Sequence, residues 1–238
     1  MSHIVGKNVL IVGGGSGLGH HLSKKFLKSK KVVTYFKTKP IDNNSTNYKL
    51  NLEKEKDLIC FNQFLLNLGL VFDIIYFVGA HTPHYEADEH NSTFSGTYSQ
   101  KTLEKFIKIN CFAPMFIFQK LYQNQLLKKN AKVLFFSSLA GSISNRGNLK
   151  HNLKGGNQFY RVSKSALNSG VKNIAYDLDH TNLKIVIIHP GWVKTKSGGS
   201  LADLNISESI ESIIDFTIKI DKSHHGGFYF SSGKRIEW

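Results

Sequence analysis

Six apolar runs constrain what this chain can fold into: "NVLIVG" (8–13), "KVVTYF" (31–36), "FDIIYFVG" (72–79), "KVLFFSS" (132–138), "KIVIIHPG" (184–191) and "GFYFSSG" (227–233). They are rich in β-branched and aromatic residues, and most lack an in–out alternation. That is the pattern of strands covered on both faces, as in a parallel sheet. Between them lie helical spacings, such as Leu18, Leu22, Phe26 and Leu27, or Ile210, Ile213, Ile214 and Ile218. Strands alternating with helices predict an α/β fold, a doubly wound and mostly parallel sheet with helices on both faces. At 238 residues, with no repeat, linker or break in composition, the chain reads as one domain over 1–238.

The formal charge of +14 would suit a polyanion binder, but the 31 lysines and arginines are scattered. The densest groups, "KSKK" (28–31) and "LLKK" (126–129), end amphipathic stretches and read as helix C-termini. Nucleic acid is therefore not an expected partner; the positive field would instead speed capture of a small anionic ligand. Cys60 and Cys111 sit in apolar surroundings, which argues against a disulfide framework and for a reducing compartment. The N-terminus enters a strand pattern at once, and no apolar run reaches the ~18 residues of a membrane span. The expectation is a soluble, cytoplasmic protein with no membrane partner. Two stretches, 80–100 and 142–157, read as long loops, which are usually functional or mobile.

After the first strand comes "VGGGSGLGHHL", with Gly13, Gly17 and Gly19 spaced G-x-x-x-G-x-G ahead of an amphipathic helix. Glycines here allow a tight turn and a close approach of backbone to a pyrophosphate, while the helix start offers free N–H groups. At the end of the second strand, "TYFKTKP" has no acid to receive a ribose 2′-hydroxyl, whereas Lys37 and Lys39 could meet a 2′-phosphate. NADP(H) is the preferred cofactor on this reading and NAD(H) the alternative.

In "NQFYRVSKSALN" (157–168), Tyr160 and Lys164 stand four apart, on one face of a helix. A lysine ammonium about 4 Å from a phenol, at an effective dielectric near 20, is worth about 4 kcal/mol. That would lower the tyrosine's ordinary pKa by up to ~3 units before screening. Such a tyrosine could pass a proton to or from a carbonyl oxygen at neutral pH.

Taken together, the motifs resemble the short-chain dehydrogenase/reductase family in the family's order and over essentially the whole chain. The cofactor loop is 12–19, with Gly13, Gly15, Ser16, Gly17, Leu18 and Gly19. "FIKINCFAP" places Asn110 at the family's active-site asparagine, and "FFSSLAG" places Ser138 at its serine. Tyr160, Ser163 and Lys164 match Y-x-x-S-K, and "HPGWVKT" matches the nicotinamide-holding segment with Pro190, Gly191, Val193 and Thr195. Within the family, "GSIS", "YRVSKSALN", "HPGWVKTKSGG" and "SSGKRIEW" look like the C-factor and sniffer-like carbonyl reductases. The resemblance implies a Rossmann-type fold. It also implies Tyr160 as acid/base, Ser138 holding the substrate oxygen, Lys164 binding the nicotinamide ribose, and Asn110 positioning a water.

The chain departs from the family in places. "FVGA" (77–80) replaces Asn-Asn-Ala-Gly and keeps Gly79; Val12 replaces a threonine, removing a hydroxyl cross-brace. Asn51 stands where an aspartate commonly meets the adenine amino group, and its amide oxygen could still accept that bond. Ser138 and Tyr160 are 22 positions apart, so 142–157 carries extra residues. With Arg146, Lys150, His151 and Lys154, that stretch reads as a mobile cationic flap admitting an anionic or polar substrate.

His81, His84 and His90, with Glu86 and Asp88, lack the spacing of a helical ligand pair, and no metal is expected. His189, Trp192 and Trp238 read as packed residues. The functional expectation is an NADP(H)-dependent oxidoreductase interconverting a small or medium carbonyl and its alcohol. The alternative is a dinucleotide-binding regulatory or signalling protein with little turnover. Whether the chain forms a homo-oligomer is left open.

Overall fold

A computed structural model of the chain describes residues 4–40, 44–82, 98–147 and 156–238. Seven strands form one parallel sheet in the order β3-β2-β1-β4-β5-β6-β7. They are β1 (Val9–Val12), β2 (Lys31–Tyr35), β3 (Ser45–Lys49), β4 (Phe72–Phe77), β5 (Leu127–Phe136), β6 (Lys184–His189) and β7 (Phe228–Phe230). The helices are α1 (Gly17–Ser23), α2 (Glu55–Leu68), α3 (Gln100–Ile107), α4 (Ala113–Gln123), α5 (Gln158–Asp177) and α6 (Ile206–Lys219). A π-helical turn, Lys108–Phe112, joins α3 to α4. The expected doubly wound α/β architecture is thereby observed.

Each apolar run is a strand because both of its faces are covered. Leu10, Val12, Ile75, Phe77, Val133, Phe135, Ile185 and Ile187 pack with α2, α4 and α5 on one side. Val9, Ile11, Ile74, Tyr76, Leu134, Phe136, Val186 and Ile188 pack with α1 and α6 on the other. Alternate residues of a strand go to opposite cores, which explains the missing polar alternation. Phe77 and Phe135 stack across β4 and β5 with centroids 4.6 Å apart. The hydroxyl of Tyr76 donates to Thr217 Oγ1 at 3.0 Å, and burial pushes that phenol well above its ordinary pKa.

Several sequence expectations need correction. β3, "STNYK", gives no apolar signal because it is the half-exposed edge strand, holding its place through pairing with β2. "LLKK" does not end a helix: α4 stops at Gln123 and Leu127 already pairs with Phe72 in the sheet. Lys31 likewise opens β2, and its buried Nζ donates to Ser23 O (3.0 Å), capping α1 from outside that helix. Leu27 lies beyond α1 and is exposed. Cys60 is exposed on α2, while Cys111 is buried as expected.

The crossover reverses between β1 and β4, and the C-terminal ends of both strands open on the crevice where ligands of such sheets bind. Backbone meets backbone here. A Cβ on Gly13, whose φ is +97°, would sit 2.3 Å from Gly79 Cα. A Cβ on Gly79 would meet Leu52 Cδ1 at 3.0 Å and Gly13 Cα at 3.2 Å. Gly13→Ala should therefore destabilise the protein by roughly 2–4 kcal/mol, adding left-handed strain to an unrelievable clash. Gly79→Ala should cost only about 1 kcal/mol, because the leucine side chain can yield. Thermal melting of the two variants checks the order; equal losses would contradict it.

Candidate active site

The glycine turn wraps the end of β1. Gly15 could not carry a Cβ without coming 2.6 Å from Thr38 O, and one on Gly19 would lie 2.2 Å from Gly13 O. Gly17 has φ +52° and sits across from Thr195, whose methyl would be 4.0 Å from a Cβ there. The amide of Gly13 donates to Thr34 Oγ1 (2.9 Å), and Val78 and Gly79 both donate to Val12 O. The end of β1 is thus braced from β2, by a threonine that sequence reading passed over. Ser16 precedes α1 with its side-chain oxygen uncommitted to capping, and Leu18 packs inward. Lys37 is exposed in the bend after β2 that touches Gly15. Asn51 spends an Oδ1 lone pair on the Glu53 amide (3.0 Å), orienting the lead into α2.

The opposite wall is the end of β5 and the start of α5. Ser138 is a cap: its Oγ accepts from the Ala140 amide (3.1 Å) in a short 3₁₀ turn, Leu139–Gly141. Gly141 touches α5 so closely that a Cβ would lie 2.9 Å from Lys164 Cβ. Lys164 is buried, and its Nζ donates to Phe136 O at 2.8 Å, lying 5.8 Å from the centre of the Tyr160 ring. The ammonium loses more hydration than it regains, so burial pushes its pKa from 10.5 down to about 8. Phe106 meets Tyr160 edge-on at 6.4 Å and packs on His81 at 4.5 Å.

Asn110 lies in the π-helical turn, a feature that often marks functional positions. Its Nδ2 donates to His81 O (2.9 Å) and Ser163 Oγ (3.0 Å), and its Oδ1 accepts from the His81 amide (2.7 Å). Ser163 in turn donates to Tyr160 O (2.7 Å). The buried amide therefore ties the strand-end loop after β4 to the helix bearing Tyr160, leaving one Oδ1 lone pair for another partner.

The segment after β6 closes the site from above. Gly191 has φ +90°, and a Cβ there would strike Leu204 Cδ1 at 2.5 Å. Pro190 O accepts from Ser209 Oγ (2.7 Å), Val193 is buried and bridges to Leu204, and Thr195 Oγ1 accepts from the Gly198 amide (3.1 Å). Trp192 Nε1 donates to Gly198 O (2.9 Å), so this tryptophan fastens the loop. Asn110, Tyr160 and Lys164 are thus linked through α5, and Ser138 follows two residues after Phe136, the carbonyl that receives Lys164. His84, Glu86, Asp88 and His90, and Lys150, His151 and Lys154 of the expected flap, lie outside the described residues. No group of His, Cys, Asp and Glu that could hold a metal occurs among the described residues, and no helix among them is long and apolar enough to cross a membrane.

A family profile described as enoyl-(acyl carrier protein) reductase matches residues 67–215. The chain belongs to the short-chain dehydrogenase/reductase family. Among curated relatives, C-signal of Myxococcus xanthus is 35% identical over 100 residues, which is 42% of this chain and 60% of that protein. The match thus spans less than two thirds of that relative's length. A short-chain dehydrogenase/reductase of Burkholderia multivorans, solved with bound NADP, is 26% identical with a TM-score of 0.80, covering 98% of this chain and 99% of its own. The carbonyl reductase Sniffer of D. melanogaster, at 22% identity, shares the fold with a TM-score of 0.80 over 98% of this chain and 100% of its own.

The buried ammonium has a consequence for stability. Its folded pKa, about 8, lies below its ordinary 10.5, so between these values the unfolded chain binds more protons and stability must rise with pH. At pH 7 the cost is about 3 kcal/mol, at about 1.4 kcal/mol per pKa unit. Lys164→Met should raise the melting temperature at pH 7 by several degrees, given roughly 2–4 °C per kcal/mol in a protein of this size. It should also flatten the rise between pH 8 and 10.5. Melting curves against pH test this, and a lower melting temperature for the variant at pH 7 would refute it.

Proposed function

We propose that the protein is an NADP(H)-dependent oxidoreductase that interconverts a carbonyl and an alcohol, with Tyr160 as the acid/base. The observation that carries the reading is Lys164, a buried ammonium kept at a net cost beneath the Tyr160 ring and in reach of the crevice. Functional sites are where such costs are often retained.

The turn suits a dinucleotide: Gly13, Gly15 and Gly19 let the backbone close tightly against Gly79, Thr38 and Gly13 itself, and Gly17 lies open, with the Thr195 methyl 4.0 Å from where a Cβ would sit. Gly13, Gly15, Ser16, Gly17, Leu18 and Gly19 would hold the pyrophosphate, Asn51 and Gly79 the adenine side, and Pro190, Gly191, Val193 and Thr195 the nicotinamide. Lys37 would meet a 2′-phosphate. The bound NADP of the Burkholderia multivorans relative supports the same choice. When bound, the nicotinamide supplies the hydride chemistry. The chain's own contribution is to the proton. Ser138 Oγ holds the substrate oxygen, and the Tyr160 hydroxyl gives it a proton in reduction or takes one in oxidation. Lys164 stabilises the phenolate and binds the ribose hydroxyls, and Asn110 holds a water with its remaining lone pair. The site acts within one domain spanning the chain.

A second reading, a dinucleotide-binding regulatory protein with little turnover, draws on the likeness to C-signal. A screen of aldehydes, ketones and alcohols following NADPH absorbance separates the two: turnover of any substrate class supports the first, and tight NADPH binding with none supports the second.

Tyr160→Phe should lower turnover by about a thousandfold or more while leaving NADPH affinity within twofold, since the hydroxyl serves proton transfer alone. Steady-state rates and a fluorescence titration of NADPH read both quantities. Lys37→Asp should reverse or flatten a preference for NADPH over NADH, a charge change opposite a dianionic phosphate. A wild-type protein that binds NADH more tightly would contradict the choice of cofactor.

A further inference from the structure

Behind the Tyr160–Lys164 pair, three buried polar atoms have no hydrogen-bond partner among the described residues: Ser137 Oγ, Asn168 Oδ1 and His189 Nδ1. They come from three different parts of the chain that meet on one face of the sheet. Phe136 pairs with Ile188, and the Ser137 amide donates to Ile188 O (2.8 Å), so Ser137 and His189 are the next neighbours across β5 and β6. Strand alternation turns both side chains to the face of Phe135 and Ile187. Asn168 reaches that face from α5, one turn beyond Lys164 and beside Leu167, and its Nδ2 is anchored on Gly141 O (3.2 Å). Ser137 and Asn168 are 96–97% buried, at 4% and 3% exposure. His189 meets Phe230 edge-on at 5.7 Å, and burial holds its imidazole down to about 4, so the ring is neutral at pH 7.

Folded proteins pair nearly all such atoms, because a buried polar atom without a partner forfeits its hydration. Here the donors and acceptors match a single molecule of water. The serine hydroxyl can donate to it, and it can donate to Asn168 Oδ1, an acceptor only, and to the unprotonated nitrogen of a neutral imidazole. Three bonds is the usual complement of an internal water. We infer that Ser137, Asn168 and His189 bind an internal water beneath the active site, and that this water positions the end of β5. Ser137 lies between Phe136, whose carbonyl receives the Lys164 ammonium, and Ser138. Water held by Ser137 therefore fixes both groups at once. The three are positioning residues. The water site stands by itself; its bearing on turnover rests on the proposed oxidoreductase reading.

The test is a high-resolution crystal structure of the full chain, together with His189→Phe, which keeps the ring shape without the nitrogen, and His189→Gln, which restores a polar atom. The expected result is a water within hydrogen-bond distance of all three atoms in the wild type. His189→Phe should melt lower, and His189→Gln near the wild type. For a substrate found in the screen, His189→Phe should lower kcat about tenfold with KM and NADPH affinity unchanged, the signature of a misplaced reacting group, and His189→Gln should recover most of it. If the screen finds no substrate, the oxidoreductase reading fails while density and melting still decide the water site. Direct protein partners for the three atoms with no water between them would overturn the site. A water present with kcat unchanged in His189→Phe would overturn its positioning role.

Discussion

The arrangement depends on one hydrogen bond, from Lys164 Nζ to the carbonyl of Phe136. A buried ammonium is costly unless something oriented receives it. The receiver is the last residue of β5, a strand covered on both faces and hence rigid. α5 must lie close enough for a side chain anchored on the helix to reach that carbonyl. Gly141 makes the approach possible, since any side chain there would press on the backbone around Lys164. The bond thus sets the distance between the helix bearing Tyr160 and the strand end bearing Ser138.

From that anchor the remaining parts follow by contact. Ser163, one residue before Lys164, receives the Asn110 amide, and Asn110 clasps the backbone of His81 after β4. The π-helical turn that presents Asn110 is the local irregularity needed to aim a helix side chain at a neighbouring loop. On the far side, the close crossing of Gly13 and Gly79 brings β1 and β4 together at the point where the chain's direction across the sheet reverses. Two small-residue contacts thus draw neighbouring elements together, β1 against the end of β4 and the turn after β5 against α5. Stability is given up at both: glycine is conformationally expensive to order, and a buried lysine resists desolvation.

Much of this was legible in the residues. Strands with both faces apolar leave a local signature, and so does a glycine turn between strand and helix, so β1, β2, β4, β5, β6 and β7 and the glycine turn could be read directly. Tyr160 and Lys164 share a helix face by period alone. β3 was not legible, because an edge strand is held by pairing with β2 and needs no apolar pattern. "LLKK" misled for a similar reason: lysines at a strand's exposed start look the same in sequence as lysines at a helix end.

The sequence by itself determined the class of sheet, the turn at the end of β1 and the residue types that can move a proton, because these follow from periodicity and from side-chain chemistry within a few positions. Only the tertiary structure decided that Thr34 braces the Gly13 amide, that Asn110 is bound to Ser163 and His81, and that Phe136 receives Lys164. The same holds for the placing of Ser137, Asn168 and His189 on one face of the sheet. Each of these joins residues more than 20 positions apart. Such pairs are set by strand register and helix packing, which no local window of sequence contains.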